Sequence, residues 1–325
     1  MGAALLMAML TVTLIATFAA AALWQQWRSA EVEAAERARM QSAWVLIGAL
    51  AWSRLILQTD AQTDRSTGRT VDNLTEPWAV PLEEAKLTAF LSADKNIASD
   101  ALDGLPDAFL SGRIVDAQSK LNVRNLVVDT AFTPSEKDVG AFNRLFSMLG
   151  LPAQQVNLLT TGVQQALATS TSSTSGSDGD SQGNSSGANA PLMPLQEDQL
   201  TWFGLSPSTV AALAPYVTVL PKRTTLNVNT ASAEVLAASV PSLGLSGAKL
   251  LTLQRMSTVF TSLPSSSFNA GEHGTSTEFF EVLGRLRLDD VWVEERSLLD
   301  RSNGITLTIL WRQRGAGTTT VDAKQ

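Results

Sequence analysis

The stretch GAALLMAMLTVTLIATFAAAALW, residues 2–24, decides the fold of this chain because it contains no charged residue. At about 1.5 Å of rise per residue, a helix of this length spans roughly 33 Å, enough to cross a hydrocarbon core of about 30 Å. Trp24 and Trp27 lie where an interfacial aromatic belt is expected, and Arg28 is the first charged residue. The stretch therefore predicts a membrane-spanning helix.

The helix is expected to continue beyond the membrane. Residues 29–57 contain no proline and a single glycine, and their apolar positions recur close to helical spacing. These positions are Val32, Ala35, Met40, Ala43, Leu46, Ile47, Leu50 and Leu57. Beyond Gln58, residues 60–73 are polar and rich in turn formers, which predicts a surface loop. One rod therefore begins in the membrane and ends in water.

Two simpler interpretations of the N-terminus are also open. A secretory signal peptide usually has a charged region before a shorter apolar run. Here Met1 is followed directly by Gly2, and the apolar run leads into a further helix instead of a cleavage loop. A plain single-pass anchor requires nothing beyond the apolar stretch.

The composition limits the classes of function that are open to this chain. A net charge of −7 disfavours nucleic-acid binding, which usually needs a basic surface. Cysteine is absent, so disulfides, thiolate metal sites and cysteine nucleophiles are excluded. The single histidine, His273, lies in the sequence AGEHGTS, which predicts a solvated surface loop and excludes a site built on two imidazoles.

Two strands and two helices are predicted in the first half of the soluble region. Residues 110–118 alternate partly and residues 120–126 strictly, which indicates strands, whereas residues 82–107 predict irregular structure with some helix. Thr133 is the predicted N-cap of a helix with Pro134 in its first turn, and Gly150 is predicted to end it. A further helix is predicted over 153–168.

Residues 169–190 contain no aromatic and no large apolar side chain, so they predict a disordered loop. Asp178 and Asp180 faintly suggest a calcium loop, but Asn189 stands where a bidentate glutamate is needed. A solvated linker is therefore favoured, and no metal site is predicted.

The sequence LNVNTASAEVL, residues 226–236, begins a motif of two short helices that extends to residue 255. Thr230 is the predicted cap of the first helix, and residues 243–247 form the predicted turn. The motif resembles a helix-hairpin-helix unit, which in DNA-binding proteins offers backbone amides to phosphate, but which also serves as a protein interaction module. Before it, Trp202 is predicted to be buried, and Ser206 is predicted to start a helix that runs through Ala214.

The C-terminal region predicts a three-stranded antiparallel meander. Residues 279–288, 291–299 and 305–311 form its strands, with Asp289–Asp290 and residues 302–304 as turns. One face of the sheet needs a covering layer, for which the soluble half of the N-terminal helix is the candidate. Since strands are predicted on both sides of a helical block, that block is interpreted as an insertion.

Together these segments resemble protein K of the type II secretion system, the large minor pseudopilin. Residues 2–6, GAALL, resemble the cleavage point of type IV prepilins and pseudopilins. The other matching segments, in order along the chain, are LTEPWA, LSGRIVDAQSKLNVRNL, ANAPL, YVTVLP, LNVNTASAEVLAA, FFEVLGRLRLDD and EERSLL.

This resemblance implies an α+β fold in which a pilin-like long N-terminal helix packs on an antiparallel sheet, with a large all-α domain inserted between strands. The implied boundaries are residues 1–27 for the membrane half of the helix, 28–132 for the first part of the pilin-like body, 133–275 for the inserted domain and 276–325 for the C-terminal strands. Some family members carry a calcium site in the inserted domain, where this chain has its Ser- and Gly-rich loop.

The resemblance also implies a location and a set of partners. A prepilin peptidase would cut after Gly2 and methylate Ala3, and the body would lie in the periplasm at the tip of the pseudopilus. The predicted partners are minor pseudopilins I and J, the major pseudopilin, exported proteins and the secretin. The side chains predicted to face the inner membrane and neighbouring helices are Leu5, Leu6, Met7, Leu10, Leu14 and Phe18.

Met7 is relevant to the predicted position of this protein at the tip of the pseudopilus. Most pilins and pseudopilins have a glutamate at this position, and its proposed partner is the N-terminal amine of the subunit above, because an unpaired carboxylate in lipid is costly. Here no acid precedes Glu31, as expected of a subunit with none above it. The predicted function is therefore to initiate and cap the filament that drives protein export.

The alternative is a membrane-anchored DNA-uptake protein that uses the helix-hairpin-helix unit. An enzyme is not predicted, because the sequence has a single histidine and no cysteine and lacks a phosphate-binding loop. No cofactor is predicted from the residues.

Overall fold

The computed structural model describes residues 2–88, 108–128, 131–172, 191–288 and 291–316. Its helices are α1 (Gly2–Thr67), α2 (Glu136–Met148), α3 (Gln154–Ser172), α4 (Pro207–Leu213), α5 (Ala233–Ser239) and α6 (Gly244–Ser257). Its strands are β1 (Leu82–Lys86), β2 (Ala108–Asp116), β3 (Leu121–Asn122), β4 (Val217–Thr218), β5 (Leu226–Asn227), β6 (His273–Gly274), β7 (Phe279–Leu288), β8 (Val291–Asn303) and β9 (Thr306–Ala316). The predicted turn at Asp289–Asp290 lies outside the described residues.

Helix α1 is a continuous rod of 66 residues. The surface loop predicted from residue 60 was wrong as far as Thr67, because the polar side chains of this segment support the helix. Thr59 and Thr63 donate hydrogen bonds to carbonyls one turn earlier, and Asp60 pairs with an arginine of β8. Local polarity predicted a loop, but these contacts keep the segment helical.

The main sheet has the strand order β1-β2-β7-β8-β9, with every neighbouring pair antiparallel. The predicted C-terminal meander is confirmed as β7, β8 and β9. Strand β1 occupies a region predicted to be irregular, and residues 89–107 lie outside the description. The strand predicted over 120–126 was mostly wrong, because β3 ends at Asn122, whose side chain accepts a hydrogen bond from the Arg124 amide and starts a 3-10 turn.

The front face of the sheet is covered by α1. Leu46, Leu50 and Leu57 of the helix are buried, and they belong to the same small apolar clusters as Phe280 and Leu286 of β7. These two β7 residues share the front face because side chains alternate along a strand. The predicted packing of the soluble half of the helix on the sheet is confirmed.

The chain between β2 and β7 forms a helical block with a larger core of its own. Its buried cluster begins at Leu121, ends at Phe268 and includes the side chains of α2, α3, α4 and α5. The block meets the back face of the sheet, where Leu220 packs with Phe279 and Leu298. The fold is therefore α+β with a helical segment between strands, while the domain boundaries predicted at 133 and 275 stay predictions.

Local signals within the block were partly wrong. Ser135 occupies the N-cap position of α2, because Pro134 lies before the helix and pairs with Val127 in a β-bridge, so the cap predicted at Thr133 was wrong. Gly150 does follow the last turn, with φ at +67°, and ends the helix as predicted. Trp202 was predicted to be buried but is 51% exposed, because the neighbouring Phe203 fills the space beside Gly162.

Two further predicted helices correspond to α3 and α4 of the structure. Helix α3 confirms the one predicted over 153–168 and extends it to Ser172. The disordered loop predicted from residue 169 was wrong for residues 169–172, which are helical, and its remainder, with Asp178 and Asp180, lies outside the described residues. Ser206 caps α4 through its hydroxyl, which confirms the predicted helix start.

Candidate assembly surfaces and ionic junctions

The membrane half of α1 makes no contact that buries its side chains. The predicted membrane and assembly residues are between 53% and 70% exposed, and they are Leu5, Leu6, Met7, Leu10, Leu14 and Phe18. Gly2 and Ala3 form the first positions of the same helix. The helix is long and apolar enough to cross a membrane. These residues therefore present an apolar surface that needs lipid or other helices around it.

The soluble half of α1 also exposes apolar side chains outside its buried contact with the sheet. We call these residues the α1 stripe: Met40, Trp44, Ile47, Trp52 and Leu55. Trp44 is 72% exposed and Trp52 50%, whereas Leu46 and Leu57, which pack against the sheet, are buried. Exposed aromatic clusters of this kind mark interaction sites. From their spacing alone, Met40 and Ile47 could not be told apart from the buried apolar positions of α1, because apolar residues nearly encircle this part of the helix.

The C-terminal end of α1 is fixed by a buried ionic cluster, the Arg301 junction, formed by Asp60, Asp72, Thr277 and Arg301. The Arg301 guanidinium donates to Asp60 Oδ2 at 2.9 Å, to Asp72 Oδ1, and to the Thr277 carbonyl at 3.1 Å. The Thr277 amide donates to Asp72 Oδ2 at 2.7 Å. The guanidinium also lies 4.5 Å from the centre of the Phe280 ring. One arginine of β8 thereby holds α1, the loop after it and the segment before β7.

Further carboxylates surround this junction. Asp116 at the end of β2 is buried, and burial raises its pKa to about 6. Burial also raises the pKa of Asp72, and that of Glu76 to about 7. Each accepts hydrogen bonds from nearby donors, which partly offset this effect of burial. The region therefore binds protons more readily than ordinary aspartates and glutamates do.

Asp116 connects the sheet to the helical block. Asn227 Nδ2 donates to Asp116 Oδ2 at 2.9 Å and to the Asp72 carbonyl at 3.0 Å, and the Thr230 hydroxyl donates to Asp116 Oδ2 at 2.6 Å. Thr230 was predicted to cap the next helix, which was wrong. Ser232 caps α5 instead, because the Thr230 hydroxyl is directed toward Asp116.

A second ionic cluster, the Arg296 junction, lies on the back face of the sheet and consists of Lys120, Glu197, Glu281 and Arg296. Arg296 lies 2.5 Å from Glu281 and 3.1 Å from Glu197. Lys120 is 3.8 Å from Glu281 and 3.9 Å from Glu197. Two cations therefore face two anions where the helical block meets the sheet.

His273 is buried, so the predicted surface loop was wrong at this residue. Leu226 pairs with His273 in the short parallel ladder of β5 and β6, which draws the imidazole into the block. Its Nε2 lies 2.7 Å from the Ser239 hydroxyl, and its ring packs edge-on against Phe268 at 5.1 Å. Burial lowers its pKa. The imidazole is therefore a satisfied core group that favours the neutral form.

Two short helices, α5 and α6, lie where the helix-hairpin-helix unit was predicted, but the turn predicted at residues 243–247 was wrong because α6 already begins at Gly244. Basic residues in this unit and just before it are mostly engaged: Arg255 donates to the carbonyls of Val228 and Ala231, Lys222 pairs with Glu278, and Arg223 pairs with Asp138. The outer face of α6 is apolar, with exposed side chains at Leu245, Leu250, Leu253 and Met256. A phosphate footprint needs available cations, so this surface suits contact with protein better than contact with nucleic acid.

One group of described residues has the ligand types of a metal site. Carboxylate oxygens of Asp60, Asp64 and Asp72 lie within 4.8 Å of one another. Arg301 already pairs with Asp60 and Asp72. We therefore assign the cluster to the Arg301 junction and not to a metal. Among the described residues, the buried carboxylates join elements of the fold, and we derive no catalytic step from them.

Comparisons with known proteins agree with this architecture. Two family models, both described as type II secretion system (T2SS) protein K, match residues 119–222 and 226–266. A solved chain from the GspK-GspI-GspJ complex of the enterotoxigenic Escherichia coli type 2 secretion system shares 18% identity with a TM-score of 0.54, over 86% of this chain and 98% of that chain. No curated protein sequence matches the chain.

The long N-terminal helix laid on an antiparallel sheet defines a pilin-like α+β protein, and the solved chain shows the same fold. The two family matches lie in and around the helical block, which is the part that an ordinary pilin-like body does not need. Residues 119–222 and 226–266 match the type II secretion system protein K family, and with the shared fold these matches support a minor pseudopilin of that system.

Proposed function

We propose that this protein is a tip component of the type II secretion pseudopilus, which assembles with minor pseudopilins I and J to initiate and cap the filament. The observation that carries the proposal is the surface of α1. Its membrane half is apolar and exposed, and the α1 stripe continues that apolar surface above the membrane along one flank. A helix with two such segments is suited to lateral packing with other helices, first in lipid and then in water.

Several further features support this role. The solved chain of similar fold comes from a complex whose three components are GspK, GspI and GspJ. Met7 occupies a place where a carboxylate would need a partner from a subunit above. The helical block adds bulk beside the sheet and would obstruct a further subunit. Helix α1 would then anchor the protein in the bacterial inner membrane, and its body would lie in the periplasm.

The remaining partners follow from the same role. We propose that the prepilin peptidase cuts after Gly2 and that Ala3 becomes the methylated N-terminus, which intact-mass measurement of the purified protein would detect. The major pseudopilin would add below the tip complex. The outer face of α6 is available for contact with exported protein or the secretin.

The assembly proposal is tested by co-purifying the full chain with pseudopilins I and J in detergent and measuring the mass by light scattering. We expect a one-to-one-to-one particle. Trp44→Asp, which places a charge in the α1 stripe, should lower the affinity at least tenfold. The matched control is Gln62→Asp, an exposed position on the same helix beyond the stripe. A lone monomer that binds duplex DNA with strong salt dependence would overturn the proposal in favour of DNA uptake.

A further inference from the structure

An apolar cleft of about 250 Å3 lies between the middle of α1 and the front face of the sheet. One wall is formed by side chains of α1 and the floor by two glycines of neighbouring strands. The residues that define it here are Leu46, Ala49, Trp52, Ser53, Gly112 and Gly284. The cleft is partly open to the surface, and Trp52 in its lining is half exposed.

The two floor glycines explain why the cleft exists. Gly112 of β2 and Gly284 of β7 are direct partners in the ladder, so two adjacent positions of the front face carry no side chain. A Cβ on Gly112 would lie 3.0 Å from the Leu283 carbonyl oxygen, and a Cβ on Gly284 would lie 3.3 Å from Leu46 Cδ2. Helix α1 therefore crosses a bare part of the sheet, and space remains beside the crossing.

The size of the cleft is unusual for a protein interior. Packed cores contain few voids larger than a water molecule, and an engineered apolar cavity of about 150 Å3 is large enough to bind benzene. The cleft exceeds that volume and has Trp52 and Trp78 in its lining. It therefore has room for one large apolar side chain.

The charges around the cleft indicate the chemistry of its occupant. The charged residues in the lining are Arg113, which already has a partner, and Glu295, which is 4% exposed. Both of its carboxylate oxygens accept hydrogen bonds from Arg312, and one also accepts from Arg314. Because this carboxylate already has two cationic partners, a charged occupant would be desolvated with little compensation. An uncharged, apolar group fits the cleft.

We propose that the cleft receives one large apolar side chain from the helix of an adjoining minor pseudopilin, I or J. Trp52 belongs both to the cleft and to the α1 stripe, so a helix that packs along the stripe passes the mouth of the cleft. A leucine, methionine or phenylalanine on that helix enters between α1 and the glycine floor. This inference rests on the proposed assembly with I and J and assigns part of their contact to a defined cavity.

The first test fills the cleft from within by Ala49→Phe. The full chain is mixed with I and J in detergent, and affinity and thermal midpoint are both measured. We expect affinity to fall at least tenfold while the midpoint stays unchanged or rises, because the new ring occupies empty apolar space. The matched control is Ala35→Phe, the same change on an exposed turn of α1 below the body, which should leave the affinity unchanged.

The second test introduces no bulky side chain, so its result does not depend on whether the fold accepts a phenylalanine in the cleft. The chain has no cysteine, so Ser53→Cys places a single thiol on the cleft wall. We expect saturating I and J to slow alkylation of this thiol at least tenfold, while Gln62→Cys reacts at an unchanged rate. Unchanged alkylation of Ser53→Cys in an intact complex would overturn the proposal.

The failures of the two proposals can be told apart. If Trp44→Asp abolishes the complex while Ala49→Phe keeps full affinity, assembly through the stripe stands and the cleft proposal fails. If neither change affects binding, or if no complex forms with the unaltered chain, both proposals fail.

Discussion

The Arg301 junction and the Arg296 junction both connect separate parts of the chain, but they differ in charge balance and in burial. The Arg301 junction has one guanidinium for Asp60 and Asp72, and Asp64 lies close to both. The Arg296 junction has two cations for two anions. Arg301 is 8% exposed in its side chain and Arg296 is 31% exposed.

This difference shows how two contacts of similar geometry contribute differently to stability. A buried arginine that serves two carboxylates is hard to replace, since its loss leaves both anions without a cation in a medium of low dielectric. A balanced and partly solvated cluster retains a second cation and some water. We therefore expect the stability that the Arg301 junction provides to depend on Arg301 and on pH. The Arg296 junction should tolerate substitution of one cation.

The largest expected effect is that of Arg301→Met. The substitution keeps much of the apolar stem but leaves Asp72, which is 1% exposed, without its cation. We expect the free energy of unfolding to fall by about 3–5 kcal/mol, as when one partner of a buried ion pair is removed. Urea denaturation at pH 7 measures this. A loss below about 1 kcal/mol would contradict the central role given to Arg301.

The second prediction concerns pH. Because the pKa of buried Asp116 is raised to about 6 and that of Glu76 to about 7, the folded state binds protons more tightly than the unfolded state. Their contribution to stability is full below the unfolded pKa values and is lost as the pH rises through about 6 to 7. We expect Asp116 alone to add on the order of 2 kcal/mol between pH 7.5 and pH 4.

This pH dependence is checked by the slope of unfolding free energy against pH. Asp116→Asn cannot titrate, so it should flatten the slope around pH 6 whatever its effect on absolute stability. Arg296→Met, which changes the balanced junction, should keep the original slope. Equal slopes for the unaltered chain and Asp116→Asn would refute the assignment of this pH dependence to Asp116.

The smallest expected effect is that of Arg296→Met on stability. Lys120 remains near both Glu197 and Glu281, and Arg296 is partly solvated. We expect a loss of about 1 kcal/mol in the free energy of unfolding, well below that of Arg301→Met. The two variants are compared in the same urea titration. Equal losses would remove the distinction between the junctions.

Several features of the fold and of the candidate surfaces could be predicted from local patterns. The apolar run of residues 2–24 predicts a helix long enough to cross a membrane, and alternation over 279–311 predicts the meander. Ser206 with Pro207 predicts the start of α4. These predictions were right because each depends on neighbours within a turn of helix or along one strand.

Other features could not be predicted because they depend on distant residues. The segment 60–67 is helical through Arg301, and Thr230 leaves its expected cap for Asp116. His273 is buried by a ladder with Leu226. The side of α1 that meets the sheet was also undetermined, since apolar residues nearly encircle the helix and only packing separates Leu46 from Trp44.

By itself, the sequence determined a membrane-competent helix, an antiparallel sheet, a helical segment between strands and the resemblance to protein K, because composition and periodicity are properties of short stretches. Only the tertiary structure decided which apolar residues stay exposed for assembly, where the glycine-floored cleft opens and how Arg301 gathers its carboxylates. Those features depend on residues up to 241 positions apart, such as Asp60 and Arg301, whose contact no local pattern encodes.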